Sequence, residues 1–170
     1  MKYDKVHIII TLLFLVGFVL SIGCNKGGLP GLVKCEGTVS WKGEPVEEAF
    51  VAFSPKSSTD GRSASGTTDV QGRFKVSTLN DNDGILPGEY SVTISKSTTT
   101  REGGLESSGD NPDENRGKIA QETVTETHFI PQVYADRKTS GLSAVISSKG
   151  EKNLTFELVG EIQPPSRQIR

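Results

Sequence analysis

Proton-transfer chemistry has little to work with in this chain of 170 residues. His7 sits in an apolar run near the start, and the only other histidine is His128, flanked by Thr127 and Phe129. General acid–base catalysis needs such a group beside a nucleophile or a metal. No serine stands in a Gly-x-Ser-x-Gly elbow, the turn that presents a nucleophile to a histidine, so His128 reads as a structural or surface residue. The nearest approach to a calcium loop is Asp81-Asn82-Asp83-Gly84. It lacks the third oxygen ligand ahead of the glycine and the acidic residue that closes such a loop. A second carboxylate cluster, Asp110-Asn111-Pro112-Asp113-Glu114-Asn115, likewise reads as a solvated loop. Two cysteines and one downstream histidine do not supply a four-ligand zinc site at the usual spacings. We therefore expect no catalytic residue, no metal and no cofactor. Trp41 with Tyr90 or Tyr134 has the chemistry to stack on a sugar, but Trp41 falls in the apolar phase beside Val39, which predicts a core or strand-end position. Asn153-Leu154-Thr155 matches a glycosylation acceptor and reads as chance, because Leu154 is needed inward.

The residue with the clearest chemical prospect is Cys24. Lys2 and Lys5 precede an apolar stretch from Val6 to Leu20, broken only by His7, Thr11 and Gly17, and Ser21-Ile22-Gly23 leads up to the cysteine. A positive head, an apolar run and a small residue before the cut are the marks of a secretory signal. The run is shorter than the ~20 residues that a membrane-spanning helix needs. With Cys24 directly after Gly23, the segment resembles a bacterial lipoprotein signal, in which the thiol takes a diacylglycerol and the cysteine becomes the first residue of the mature chain. It departs from that pattern at one place: Leu20 lies four before the cysteine, and Ser21 fills the slot where leucine is favoured. An ordinary signal peptide or an uncleaved anchor are the other readings of these residues. Asn25, in place of aspartate, implies by the same resemblance the outer membrane rather than the inner. The expected organisation is a signal peptide over 1–23, lipid attachment at Cys24, and the membrane as a partner through it.

Removing Lys2, Lys5 and Asp4 with the signal takes the net charge from −2 to −3, with both signs interspersed, so nothing marks a nucleic-acid surface. If Cys24 is acylated, Cys35 is left without a partner and reads as a small buried apolar side chain. If it is not, a disulfide between the two is open in an oxidising compartment.

Residues 24–32 contain Gly27, Gly28, Pro30 and Gly31 without periodicity and read as a flexible tether. From Val33 the pattern changes: Val33, Cys35, Val39 and Trp41 alternate with polar residues, the period of a half-buried strand. Lys42-Gly43-Glu44-Pro45 supplies a turn. Ala49-Phe50-Val51-Ala52-Phe53 is an apolar run suited to a strand covered on both faces. Ala64 to Thr68 and Phe74 to Val76, joined by Asp69-Val70-Gln71-Gly72, predict a β-hairpin. Tyr90, Val92 and Ile94 mark another strand. Between Ser97 and Thr127 the apolar side chains are only Leu105, Ile119, Ala120 and Val124, which predicts a long mobile loop over 97–127. Order returns with a packed crossing at His128-Phe129-Ile130-Pro131 and Tyr134, then strands around Leu142–Ile146 and Leu154–Leu158, and a polar tail over 160–170. Short strands between turns, with no sustained helical period, indicate a β-sandwich of about seven strands.

Gly37-Thr38-Val39, Gly43-Glu44-Pro45-Val46, Phe53-Ser54-Pro55, Gly66-Thr67-Thr68-Asp69, Gly72-Arg73-Phe74 and Pro87-Gly88-Glu89-Tyr90 resemble the carboxypeptidase-regulatory-like domain. The resemblance covers 33–159 outside the 97–127 segment and implies an all-β, seven-stranded, transthyretin-like (prealbumin-like) Greek-key β-sandwich. Phe129-Ile130-Pro131-Gln132-Val133-Tyr134 and Thr139-Ser140-Gly141-Leu142 are similar to short bacterial envelope lipoproteins that carry this domain as their only module. What the resemblance implies is a non-enzymatic, lipid-anchored envelope protein, structural or protein-binding, with an envelope protein or glycan as partner. The second expectation is a carbohydrate- or peptide-binding domain that uses the 97–127 loop or an exposed strand edge.

Overall fold

The computed structural model describes residues 29–57, 61–102 and 122–169 of the chain. The signal segment, Cys24 and the 110–115 cluster lie outside the described residues. Within them the chain is all-β. In order come β1 (Cys35–Trp41), β2 (Glu44–Pro45), β3 (Phe50–Pro55), β4 (Ala64–Thr67), β5 (Arg73–Lys75), β6 (Gly88–Ser95), β7 (Ser97–Glu102) and β8 (Thr123–His128). A 3-10 turn at Gln132–Ala135 precedes β9 (Leu142–Ile146), β10 (Glu151–Leu158) and β11 (Ser166–Ile169).

Two four-stranded sheets share one core. In the first, β1 is central: β10 runs parallel to it on one side, and β2 and β5 pair antiparallel on the other. In the second, the order is β4-β3-β6-β9, all antiparallel. Alternation decides what each strand buries, since successive side chains point to opposite faces. Cys35 and Val39 of β1, Phe74 of β5, and Phe156 and Leu158 of β10 turn inward from the first sheet. Val51 and Phe53 of β3, Tyr90, Val92 and Ile94 of β6, and Ala144 and Ile146 of β9 meet them from the second.

The contact that ties the sheets together is aromatic. The Phe53 ring lies 6.1 Å from that of Phe74 and edge-on to Tyr90 at 6.2 Å, while Phe74 stacks on Phe156 at 6.2 Å. Phe74 can lie there only because residue 37 has no side chain: a Cβ on Gly37 would stand 2.6 Å from Phe74 Cζ and 2.5 Å from the Leu154 carbonyl oxygen. The β1–β2 turn has its own backbone demand. Lys42 and Gly43 both take positive φ, 52° and 84°, as in the two-residue turns that match strand twist.

Four expectations need correction. The predicted 97–127 loop is strand at both ends: β7 and β8 pair antiparallel from Ser97↔His128 to Glu102↔Thr123, and 103–121 lies outside the described residues. The tail over 160–170 is not all tail, because β11 adds to the free side of β8 to make a third sheet, β11-β8-β7. Strand β7 carries no apolar side chain. Thr98↔Thr127 and Thr100↔Thr125 sit opposite one another instead, and cross-strand Thr pairs contribute roughly 0.2–1 kcal/mol each. The Ala64–Val76 hairpin does not form as such: the turn is present, with Gly72 N–H donating to Asp69 O at 2.8 Å, but β4 joins β3 while β5 crosses to β1. The Ser65↔Ser77 bridge and Asp69 N–H donating to Arg73 O at 2.8 Å are what link the two arms. Finally, β3 is covered on one face rather than two, since Val51 and Phe53 are fully buried but Phe50 is 50% exposed.

Gly37→Ala forces a methyl against backbone and ring, and overpacking of this kind costs about 1–3 kcal/mol. Urea unfolding should show that loss. Wild-type stability in the variant would overturn the claim that residue 37 sets the position of Phe74.

Candidate functional site

The acidic loop Asp81-Asn82-Asp83-Gly84 spends its best ligand on its own backbone. Asp83 accepts hydrogen bonds from Thr78 N–H at 2.7 Å, Leu79 N–H at 3.0 Å and Asn80 N–H at 2.9 Å. Partial burial works against the charged carboxylate, but the three donors outweigh it and hold the pKa below the ordinary 3.8. Asp69 does the same at the β4–β5 turn, accepting from Arg73 N–H and Gln71 N–H, each at 2.9 Å, with the Arg73 guanidinium 2.9 Å away. Those bonds to Arg73 and Gln71 pull its pKa down as well. Among the described residues no three His, Cys, Asp or Glu side chains converge on one point.

His128 closes β8 and is buried. Its Nε2 lies 3.6 Å from Glu126 Oε1, beyond hydrogen-bond reach, and has no hydrogen-bond partner. No described serine or threonine hydroxyl and no cysteine thiol is hydrogen-bonded to its Nε2. Cys35 is a free thiol deep in the core, and desolvation, with the Glu151 and Glu36 charges adding to it, pushes its pKa up to about 12. It is therefore a packing group, since the thiolate is the reactive form.

The aromatic trio divides. Tyr90 is buried, its hydroxyl donating to Leu86 O at 2.9 Å; Tyr134 is buried, its hydroxyl donating to Val159 O at 3.2 Å and accepting from Val159 N–H at 3.0 Å. Trp41 lies at the end of β1, with Nε1–H donating to Gly160 O at 3.1 Å and the Lys42 ammonium 4.8 Å from the ring. These rings brace the sandwich and share no outward face. Among the described residues the largely exposed aromatics are Phe50 and Phe129, 50% and 45% exposed, with Trp41 half-buried. The signal for Phe50 was its phase: it alternates with Val51, so only one of the two can face inward.

Two surfaces carry unspent polarity. One is an open groove of about 1060 Å³ where β1, β4, β5 and β10 meet, walled by Thr38, Arg73, Lys75, Lys152, Asn153 and Thr155. The other lies where β3 begins beside the start of β7, a hollow of about 360 Å³ bordered by Glu48, Phe50, Lys96, Ser97 and Phe129. There the Lys96 ammonium stands 5.8 Å from the Phe129 ring. No family model, curated protein or solved structure matches the chain.

The acidic turns dictate a pH response. A carboxylate with a depressed folded pKa contributes stability above its unfolded pKa and loses it as pH falls through the folded value. The melting temperature should therefore drop as pH is lowered through and below about 4. Asp83→Asn should flatten that fall, because its amide oxygen keeps one acceptor without titrating. An Asp83→Asn profile parallel to wild type would overturn the assignment.

Proposed function

We propose that this chain is a non-enzymatic, lipid-anchored β-sandwich of the bacterial cell envelope, with Cys24 as the lipid attachment point and the folded domain as a structural or protein-binding module. One observation carries the domain's part. The side chains with chemical potential, Asp69, Asp83, Tyr90, Tyr134 and Trp41, are committed to turns and backbone carbonyls, whereas the open polarity lies in a groove and along a strand edge. Surfaces of that kind bind; they do not transfer protons.

The transthyretin-like, carboxypeptidase-regulatory-like reading belongs to the same proposal. It is supported by two facing sheets whose strands, with the two-residue β2 set aside, are β1, β3, β4, β5, β6, β9 and β10. The anchor rests on the sequence of the first 24 residues. Attachment by one acyl chain is marginal, so the two or three chains of a mature lipoprotein are what would hold the domain at the membrane, the outer one by the Asn25 argument.

A second reading, carbohydrate or peptide binding, is favoured by the polar walls of the larger groove, where Lys152, Asn153 and Arg73 offer donors along an open trough. Screening the full chain against glycan and peptide arrays, with Lys152→Glu and Asn153→Ala as controls, tests it: a hit weakened by both variants supports the groove, and none at all removes the reading.

For the anchor, Cys24→Ser should move the protein from the membrane pellet to the soluble fraction. Partitioning that does not change would overturn lipid attachment at this residue.

A further inference from the structure

Among the described residues, the β7 strand has one edge in use and one without a strand partner. Phe129 N–H donates to Lys96 O, so Lys96 and, at every second residue, Thr98, Thr100 and Glu102 direct their backbone groups toward β8. Ser97, Thr99 and Arg101 then direct theirs the other way, and no described strand meets them. Every residue of β7 is exposed. Natural sheets guard such edges with proline, a bulge or a covering loop. Here the ladder with β8 is regular across six pairs, and the sequence Ser-Thr-Thr-Thr-Arg-Glu contains no proline.

We propose that this edge pairs with the same edge of a second copy of the chain, antiparallel about Thr99, to join two three-stranded sheets into one of six. The strand's own residues specify the register. Centring on Thr99 sets Ser97 opposite Arg101 of the second copy and Thr99 opposite Thr99, all three being residues whose outward N–H and C=O groups meet no described strand. The same register sets Lys96 opposite Glu102 and Thr98 opposite Thr100, and the two-fold axis repeats both pairs. At the root of β7 stand Glu48 and Lys96, which border the hollow beside Phe50. At its tip stand Arg101 and Glu102, with Arg101 72% exposed and only loosely paired to Glu122 at 3.7 Å. Lys96 at the root and Glu102 at the tip are therefore opposed as unlike charges on both sides of the axis. An edge contact of one short strand is small, which places it among weak, reversible interfaces.

Sedimentation of the full lipidated chain in excess detergent tests the pairing. The wild type should dimerise reversibly. Thr99→Pro removes a donor that β8 does not use, so it should weaken dimerisation at least about tenfold without lowering the melting temperature. Lys96→Glu and Glu102→Lys should each weaken it, and the two together should restore it. A wild type monomeric up to about 1 mM overturns the proposal. So does a dimer indifferent to Thr99→Pro, or a double exchange no better than the single ones. An edge that stays free of its own kind but takes up an extended peptide assigns it to another protein and equally overturns self-pairing. The pairing surface lies in the folded domain, so this experiment and the Cys24 experiment can fail independently.

Discussion

The sandwich depends on letting one ring cross between its two sheets. Phe74 comes from a three-residue strand, too short to hold a sheet by hydrogen bonds alone, yet it touches Phe53 of the opposite sheet and stacks on Phe156 of its own. The space comes from Gly37, the one position on the inward face of β1 that carries no side chain between Cys35 and Val39. Glycine in a strand interior weakens the strand locally, and here that loss is offset by an aromatic contact worth more than its buried area. The consequence spreads outward: β5 must leave β4 to reach β1, and the turn between them must be held by something other than a hairpin ladder.

Asp69 supplies that hold, and the same economy explains the other acidic loop. A turn that carries the chain from one sheet to another leaves backbone N–H groups without strand partners, and buried or half-buried donors left unmade are costly. Carboxylates at Asp69 and Asp83 take up two and three of these donors respectively. A carboxylate so engaged has few lone pairs left for a cation. Residues that look like ligands in the sequence are thus the fastenings of the fold, and the binding surfaces lie elsewhere.

What was legible in the sequence follows a single rule. Wherever one face of a strand is buried, alternation betrays it, as for Cys35 and Val39, Tyr90, Val92 and Ile94, or Phe156 and Leu158. The all-β class follows from that pattern alone. Strand β7 is exposed throughout and β8 is evenly half-buried up to His128, so neither leaves an apolar period to read. The cue for β7 and β8 was composition: threonines, whose branched side chain suits the pleated strand. Sheet membership was also hidden, because a turn signal at Asp69–Gly72 fixes a reversal of the chain but not which neighbour each arm will pair with. Cys24 and the signal residues remain a matter of sequence, since their chemistry lies outside the described fold.

The free edge of β7 and the proposed lipid anchor bear on each other through concentration. An edge of six residues has too little area to hold two freely diffusing domains together tightly. Confinement to a membrane surface changes the arithmetic, because partners that share a plane meet at a high effective concentration without any new contact. A weak, charge-registered edge is then sufficient to pair copies that are anchored together and insufficient to aggregate copies that are not. The same reasoning accounts for the absence of apolar side chains from β7. An edge made of threonine and matched charges can open again in water, whereas the same backbone lined with valine and isoleucine would present a template for irreversible stacking.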